Sequence, residues 1–155
     1  MKEQSMSVIL PSLPIVGTLK LTTRDGSSLS SIHVVEPTAA GSRNEFFEDC
    51  YQKLLSYLSG TSQELNIAID LSQVSPFQLE VLNAMKEIPF GKVASYRELA
   101  VKMESRAFQA IGTACGRNPV MLIYPCHRVV GSKDLGGFAH GLEMKKALLK
   151  LESAL

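Results

Sequence analysis

The residues best suited to chemistry lie together in the C-terminal third, in the stretch Ile123–Gly131, which reads Ile-Tyr-Pro-Cys-His-Arg-Val-Val-Gly. Pro125 fixes its own φ and donates no hydrogen bond, so we expect it to hold Cys126 at a defined angle. His127 and Arg128 place potential positive charge beside the sulfur. Such neighbours lower a thiol pKa from about 8.5 and favour the nucleophilic thiolate. The stretch therefore predicts a reactive cysteine in an environment that favours its ionisation.

The thiol needs partners from elsewhere in the chain before it becomes a credible nucleophile. Neighbouring side chains in an extended segment point to opposite sides, so Cys126 and His127 are expected to interact only through a bend or a bridging water. Glu152, at the end of the last predicted helix, becomes a partner if it folds back onto His127. A buried structural cysteine is the alternative, because free cysteine is among the most buried residue types.

Length and composition set the limits on the kind of protein. With 155 residues, 45% of them hydrophobic, the chain can bury the core of one domain or of two small ones. No apolar run approaches the roughly 20 residues of a membrane span, and the N-terminus is too weakly apolar for a signal peptide. We therefore expect a cytoplasmic protein with no membrane partner.

The cysteines and the charges also point to the C-terminal half. Cys50, Cys115 and Cys126 lack close pairing, which fits a reducing compartment and single-site thiol chemistry. His33 and Cys50 are too few strong ligands for a metal site in the N-terminal half, and no metal or cofactor is predicted. Residues 1–70 carry a net charge of −3 and residues 71–155 one of +4. The basic half is the one that contains Cys126, and contacts with phosphate need such a surface.

Residues 1–70 are predicted to form a small α+β domain. A turn at Asp25-Gly26 favours a hairpin, and helical spacing from Phe46 to Leu58 places Cys50 on a buried face before Gly60 ends the helix. A break is predicted at Pro37–Gly41. Strand patterns cover Val16–Thr23, Leu29–Val35 and Leu65–Leu71.

Residues 71–155 are predicted to form a second, mostly helical domain. Ser75, with Gln78 at the capping-box position, begins a helix over Pro76–Glu87. The next predicted helices begin at caps Ser95 and Ser105 and run to Met103 and Cys115, and the last covers Leu142–Leu151, with Leu142, Ala147, Leu148 and Leu151 buried. The middle pair suggests a helix-turn-helix. Small residues on its second helix suit either close helix packing or entry into a DNA groove.

A series of motifs then follows in one order and spacing over about residues 75–152. They are Phe77-Gln78, Ile88-Pro89-Phe90-Gly91-Lys92, Ser95-Tyr96, Leu99-Ala100, Asn118-Pro119-Val120, Pro125-Cys126-His127-Arg128-Val129-Val130, Gly137-Phe138-Ala139, Gly141-Leu142 and Lys145 through Glu152. In this order they resemble the methylated-DNA–protein-cysteine methyltransferases, or O6-alkylguanine-DNA alkyltransferases. The Pro-Cys-His-Arg-Val core with its upstream Asn-Pro is highly specific, whereas the N-terminal half agrees only in general pattern.

The resemblance implies a fold and an activity. The fold is α/β (α+β), with an N-terminal ribonuclease-H-like domain followed by a mostly helical winged helix-turn-helix DNA-binding domain. The activity is DNA repair by direct damage reversal. An alkyl group, typically methyl, passes irreversibly from O6-alkylguanine, and also from O4-alkylthymine, in duplex DNA to Cys126. The implied partner is double-stranded DNA, entered through the minor groove by a monomer that flips the damaged base into a pocket.

The resemblance also implies residue roles. Cys126 is the alkyl acceptor, His127 is its base through a water, Glu152 orients His127, Asn118 braces the turn and Tyr96 helps rotate the nucleotide and stabilises the leaving guanine. Carbonyls of Cys126 and Val129 would read the guanine amine, and the Ala139 N–H would face O6. Substrate contacts are implied at Val129, Ala139, Arg128, Phe138 and Lys145. DNA contacts are implied at Gln109, Ala110, Arg106, Thr113 and Ser95.

Two positions depart from the family pattern. Gln109 stands where the family usually has an arginine that wedges into the base stack, and the loss of charge predicts slower flipping or weaker binding. His140 stands where a glycine is usual, and its bulk at the pocket rim predicts poorer access for large adducts such as benzyl. Two other classes stay open: a lesion-binding protein without chemistry, whose relatives replace the cysteine, and a thiol hydrolase, for which the sequence offers no distinct oxyanion-hole signature.

Overall fold

The computed structural model describes residues 5–39 and 44–155, and the chain divides into two compact units, Met1–Ser72 and Gln73–Leu155. The first unit contains an antiparallel sheet in the order β1-β2-β3. Its strands are β1 (Met6–Ile9), β2 (Leu19–Thr23) and β3 (Leu29–Val34). Leu21 of β2 lies opposite Val8 and Ile32, and these three side chains are buried on one face of the sheet.

The predicted hairpin between β2 and β3 is confirmed, with a small change in its limits. Strand β2 begins at Leu19 rather than Val16, because Gly17 has a φ of +73° and closes a tight turn with Leu13. The turn after β2 is closed by Asp25, whose side chain accepts hydrogen bonds from the backbone N–H groups of Ser27 and Ser28, each at 2.9 Å. Strand β1 was not predicted from the sequence.

Helix α1 (Glu45–Leu58) is also confirmed. The Asn44 side chain accepts a hydrogen bond from the Phe47 N–H at 2.8 Å and caps its N-terminus. Cys50 is fully buried, as its place on the apolar face predicts. Gly60, with a φ of +79°, follows the end of the helix. The predicted break at Pro37–Gly41 lies partly outside the described residues.

The strand predicted over Leu65–Leu71 is wrong. In this segment only Ile69 forms a bridge, a parallel one to Leu29 at the start of β3. The Leu29 N–H donates to the Ala68 carbonyl, and the Asp70 N–H donates to the Leu29 carbonyl. Pairing ends there because Asp70 turns its side chain back to accept from the Ser72 N–H at 3.0 Å.

The second unit begins with helices α2 (Pro76–Lys86), α3 (Tyr96–Lys102) and α4 (Phe108–Gly116), which pack against one another. Two short parallel strands pair next to them, β4 (Ala94–Ser95) and β5 (Val129–Val130). Cys126–Arg128 forms a 3₁₀ turn directly before β5, and α5 (Leu142–Leu151) completes the unit. The apolar core of the unit includes Val81, Leu82, Met85, Leu99, Ile111, Val120 and Leu148.

The helix caps follow the sequence only in part. Ser95 caps α3 and forms a complete capping box with Glu98. Ser75 caps α2, but the predicted capping box with Gln78 is absent, because the Gln78 amide donates instead to the Ala114 carbonyl at 2.9 Å. Ser105 does not cap α4. The helix begins at Phe108, and the Ser105 hydroxyl accepts from the Ala107 N–H before it.

Helix α5 occupies its predicted range, and its predicted buried side is confirmed in part. Leu148 is fully buried as predicted, whereas Leu142 is 46% exposed and Ala147 and Leu151 are only partly buried. Lys145 and Leu149 are fully buried although they were not predicted to be, and the apolar pattern could not include Lys145 because it is a lysine. Among the residues that the structure describes, no helix combines the length and the apolar character needed to cross a bilayer.

Candidate active site

A cavity of about 190 Å³ lies in the second unit. It is formed where α3, α4, the 3₁₀ turn and the glycine-containing loop before α5 meet. Its lining residues are Tyr96, Gly112, Cys115, Gly116, Asn118, Cys126, Gly137, Phe138, Ala139 and His140. The structure therefore brings one predicted nucleophile, Cys126, together with residues from separate parts of the sequence around a single space.

Cys126 is the first residue of the 3₁₀ turn and is 9% exposed. The segment is therefore bent, which is one of the two arrangements that the sequence left open for Cys126 and His127. Burial raises the pKa of the Cys126 thiol, although hydrogen bonds to the sulfur from the Asn118 side chain and the His127 backbone act in the opposite direction. The prediction that the charges of His127 and Arg128 ionise the Cys126 thiol is therefore wrong for the folded chain. The resting thiol is protonated and requires a base.

Asn118 holds the segment that leads to the cysteine. Its amide donates to the Tyr124 carbonyl at 2.7 Å, and its side-chain carbonyl accepts from the Val120 N–H at 2.9 Å. These two bonds close the segment between α4 and the 3₁₀ turn. Because the amide also contacts the Cys126 sulfur, Asn118 fixes both the backbone before the thiol and the thiol itself.

His127 is fully buried and bonded to Glu152, with Nε2 of the imidazole 2.8 Å from Oε2 of the carboxylate. Burial, followed by the charges of Arg128 and Lys145, lowers the pKa of His127 to about 3, so the ring is neutral near pH 7. We assign the single proton to Nε2, where the carboxylate accepts it. Nδ1 then carries a lone pair, and this buried atom has no hydrogen-bond partner within the described residues.

Glu152 is also bound by Arg128. The guanidinium Nε donates to Oε1 at 2.7 Å and Nη2 donates to Oε2 at 3.0 Å, while Nη1 donates to the Ile88 carbonyl at 2.8 Å. Burial alone would raise the pKa of Glu152, but the forked guanidinium of Arg128 favours the ionised carboxylate and keeps it charged. Arg128 thus neutralises Glu152 and is not among the residues that line the cavity.

Lys145, on α5, is fully buried behind the cavity wall. Its ammonium donates to the Val129 carbonyl at 2.6 Å and to the Gly137 carbonyl at 2.9 Å. Burial lowers the pKa of this lysine. Lys145 therefore ties β5 to the loop that carries Phe138 and Ala139, and neither Lys145 nor Val129 lines the cavity directly.

Tyr96 is the first residue of α3 and forms another part of the wall. Its ring packs on Gly136, which has a φ of +70°; a Cβ at that position would lie 3.1 Å from Tyr96 Cε2. Burial raises the pKa of the Tyr96 hydroxyl, which therefore stays protonated and can donate a hydrogen bond.

The predicted DNA-contacting residues lie outside the cavity. Arg106, Gln109, Ala110 and Thr113 are exposed along α4 and just before it, and Ser95 is the half-buried cap of α3.

Cys115 also lines the cavity, but sequence reasoning did not assign it to the site. Its helical spacing relative to Gly112 and Gly116, which line the cavity too, could have placed it on that side of α4. In the described ranges, 5–39 and 44–155, no group of three or more His, Cys, Asp or Glu side chains is arranged to hold a metal ion.

Residues 76–154, which include every wall of this cavity, match the family model for the DNA-binding domain of 6-O-methylguanine DNA methyltransferase. The chain belongs to the 6-O-methylguanine DNA methyltransferase family. The resemblance inferred from the motifs is thereby confirmed. The match begins at α2 and includes the whole of the second helical unit except its first few residues and its last one.

Individual members of the methyltransferase family are similar over longer stretches. The methylated-DNA–protein-cysteine methyltransferase of Sulfolobus acidocaldarius is 41% identical over 109 residues, which are 70% of this chain and 69% of that protein. The crystal structure of Mycobacterium tuberculosis O6-methylguanine methyltransferase has a TM-score of 0.83 and 32% identity, covering 97% of this chain and 93% of that one. A structure of Mycobacterium tuberculosis OGT in complex with DNA has a TM-score of 0.81 and 34% identity, covering 95% and 92%. The mixed α/β character of the fold agrees with these structures.

Proposed function

We propose that this protein repairs DNA by moving the alkyl group of O6-alkylguanine, methyl above all, onto Sγ of Cys126 in one irreversible turnover. The observation that carries the proposal is the buried pairing of Glu152 with His127, next to a cysteine that lines a cavity. This arrangement leaves Nδ1 of His127 as a proton acceptor in a site where the thiol itself is protonated.

The chemistry follows from these protonation states. Nδ1 of His127 takes the thiol proton through a water, and Sγ attacks the alkyl carbon as the C–O bond breaks. The electron pair of that bond goes to guanine O6, where the Tyr96 hydroxyl donates a hydrogen bond to the developing charge. The proton held by His127 returns through water to the guanine ring. Guanine is restored, and Cys126 carries a thioether.

The thioether makes the reaction single-turnover. Unlike an acyl-enzyme, it has no activated carbonyl for water to attack, so water does not release the alkyl group. The same attack on O4-alkylthymine is chemically equivalent, since it breaks the same kind of bond. We include that lesion among the substrates, with O6-alkylguanine as the principal one.

Groups in the cavity wall and behind it recognise the flipped base. The carbonyl of Cys126, in the wall, accepts from the guanine amine, and so does that of Val129, which lies outside the lining and also accepts from Lys145. The Ala139 N–H donates to O6. The Phe138 ring forms an apolar wall. Lys145 lies outside the cavity lining and holds the Val129 and Gly137 carbonyls in place. Arg128 contributes by binding Glu152, which in turn orients His127. Asn118 braces the turn and orients the thiol.

DNA is the proposed macromolecular partner, in line with the similar Mycobacterium tuberculosis OGT in complex with DNA. Residues 71–155 act as a winged helix-turn-helix domain that enters the minor groove with α4 and flips the lesion into the cavity. Its contacts are Arg106, Gln109, Ala110 and Thr113 on and before α4, and Ser95 at the cap of α3. Residues 1–70 form a ribonuclease-H-like domain. We propose that a monomer carries out the repair in the cytoplasm, where free thiols such as the three described here stay reduced.

One measurement tests the proposal. The protein is incubated with duplex DNA containing O6-methylguanine, and its intact mass and tryptic peptides are recorded. The expected result is the mass gain of one methyl group in place of hydrogen, on the peptide containing Cys126, in wild type and in Cys115→Ala but absent in Cys126→Ser. Unmodified protein bound to intact lesion would instead indicate a binding protein. Unmodified protein with consumed substrate would indicate a hydrolase, and both outcomes refute the proposal.

A further inference from the structure

Helix α4 begins with an exposed aromatic residue that the transfer chemistry does not use. Phe108 is 49% exposed, whereas Ile111 and Ala114, which pack the same helix into the fold, are 0% and 5% exposed. Burying an aromatic side chain is worth about 1.5–3 kcal/mol relative to leaving it in water. The open half of the Phe108 ring is therefore a surface that gains from a partner.

The position of Phe108 on the helix relates it to the cavity. Residues four and seven apart lie on one face of an α-helix, so Phe108 shares a face with Gly112 and Cys115. Both of those residues line the cavity that contains Cys126. A Cβ added at Gly112 or Gly116 would meet nothing within 4 Å, so there is free space beside both glycines. Phe108 itself does not line the cavity; it lies one turn further out, at the N-terminal end of the same face.

The neighbours of Phe108 define what its ring would meet. Arg106, Gln109 and Ala110 are all exposed around it, so the start of α4 combines one charge, one amide and one apolar ring. The Phe108 ring is the one apolar group among them with a flat face that stacks on a nucleobase. Proteins that open the minor groove often insert such apolar wedges between base steps, and a flipped base leaves a gap that an apolar surface can fill.

We infer that Phe108 is a DNA-contacting residue that packs its ring into the base stack beside the flipped nucleotide and so holds the duplex open. This inference rests on the proposed function, because it needs a duplex with an extruded base at the mouth of the cavity. It adds an apolar contact beside Gln109, which is uncharged and offers only hydrogen bonds. No bond to the ring is made or broken, so the contribution is one of positioning.

The experiment compares Phe108→Ala with Phe108→Trp and with Leu79→Ala, a control that removes an apolar side chain 37% exposed on α2. Single-turnover methyl transfer is measured on duplex and on single-stranded DNA containing O6-methylguanine. Carbamidomethylation of Cys126 by iodoacetamide reports on the cavity without DNA. We expect Phe108→Ala to slow transfer from duplex on the order of tenfold, from the strength of base–aromatic stacking, and to slow it less on single strands. Phe108→Trp retains the duplex rate, and iodoacetamide reacts equally with all variants.

Equal loss on duplex and single strand, or a parallel loss with iodoacetamide, would overturn the inference, since the ring would then act on the fold and not on the gap. An unchanged duplex rate in Phe108→Ala would overturn it as well. The same substitutions in Cys126→Ser, assayed by 2-aminopurine fluorescence next to the lesion, measure flipping without transfer. Flipping that falls in Phe108→Ala upholds the inference even if methyl transfer fails in the wild type, and unchanged flipping refutes it.

Discussion

The imidazole of His127 and the carboxylate of Glu152 lie 2.8 Å apart although 25 positions separate them in the chain. Glu152 is the residue at which α5 ends, and its carboxylate is completely buried. The docking of α5 therefore decides whether the histidine beside the cysteine is oriented. Because Arg128 binds the same carboxylate, the helix end, the base and the 3₁₀ turn form one connected unit.

Replacing Glu152 with glutamine should damage both stability and transfer. The substitution leaves the Arg128 guanidinium buried without a countercharge, and breaking one partner of a buried ion pair typically costs about 3–5 kcal/mol. An amide that presents N–H to His127 also favours the wrong tautomer, so we expect the single-turnover rate to fall by about a hundredfold or more. Denaturant unfolding and intact-mass kinetics measure the two effects.

Glu143→Gln is the matched control for that prediction. Glu143 lies on the same helix with its side chain 97% exposed, so its neutralisation should change the free energy of unfolding by no more than about 0.5 kcal/mol. If Glu152→Gln were as stable and as fast as Glu143→Gln, the buried pairing would have no role in repair.

The pH profile of the transfer rate should lack the inflection that an ordinary histidine base produces. A falling pH stops a histidine base only when the ring takes up a proton, and burial lowers the pKa of His127 to about 3. Because burial also raises the pKa of Cys126, its thiol stays protonated on the acidic side. We therefore expect a single-turnover rate that is nearly constant between pH 8 and pH 5.5. A tenfold fall per pH unit below about 6.5 would show that His127 titrates normally.

Periodicity and caps predicted much of the local structure. Three features could be predicted because each depends on residues within a few positions of one another. They are the amphipathic spacing of α1, the Ser95 cap of α3 and the turn at Asp25. The failures have a different origin. The segment 65–71 alternates like a strand, but whether it pairs depends on what lies beside it, and only Ile69 forms a bridge.

In the candidate site, too, local features could be predicted from the sequence and long-range ones could not. Cys126 and His127 could be identified from their sequence neighbours, but the protonation states could not. A sequence reading places His127 and Arg128 as charges beside the thiol, whereas the fold buries the histidine as a neutral ring and pairs the arginine with Glu152. Lys145 was missed as a buried cross-link because a lysine within a helix is normally solvated. These features depend on burial and on contacts between distant segments.

Gln109→Arg should strengthen DNA engagement. Gln109 is exposed on α4, at the position where the family pattern has an arginine, and a guanidinium there would add a charge near the phosphates as well as a wedge. We expect tighter binding of lesion duplex at low salt, a steeper salt dependence and a faster flipping step. Fluorescence anisotropy at several salt concentrations and 2-aminopurine emission measure these quantities.

The control for Gln109→Arg is Gln52→Arg, which adds the same charge to an exposed position of α1 in the other unit. A general gain from net charge would appear in both variants, whereas a local contact would appear only at position 109. Equal binding and flipping in wild type and Gln109→Arg would contradict the prediction that a neutral side chain at position 109 limits DNA binding and base flipping.

His140 should restrict the size of the alkyl group that the cavity accepts. The ring lines the cavity and packs edge-on against Phe138, with centroids 5.4 Å apart and planes at 75°. In a cavity of about 190 Å³, removing an imidazole from the lining enlarges the space available to a benzyl group. We expect His140→Gly to raise the rate with O6-benzylguanine DNA on the order of tenfold and to leave methyl transfer within about twofold, since one apolar contact is worth about 1–3 kcal/mol. His140→Ala, which opens the rim without adding a flexible glycine, should behave in the same way. If benzyl and methyl rates were already equal in the wild type and unchanged in both variants, the rim would not set the substrate range.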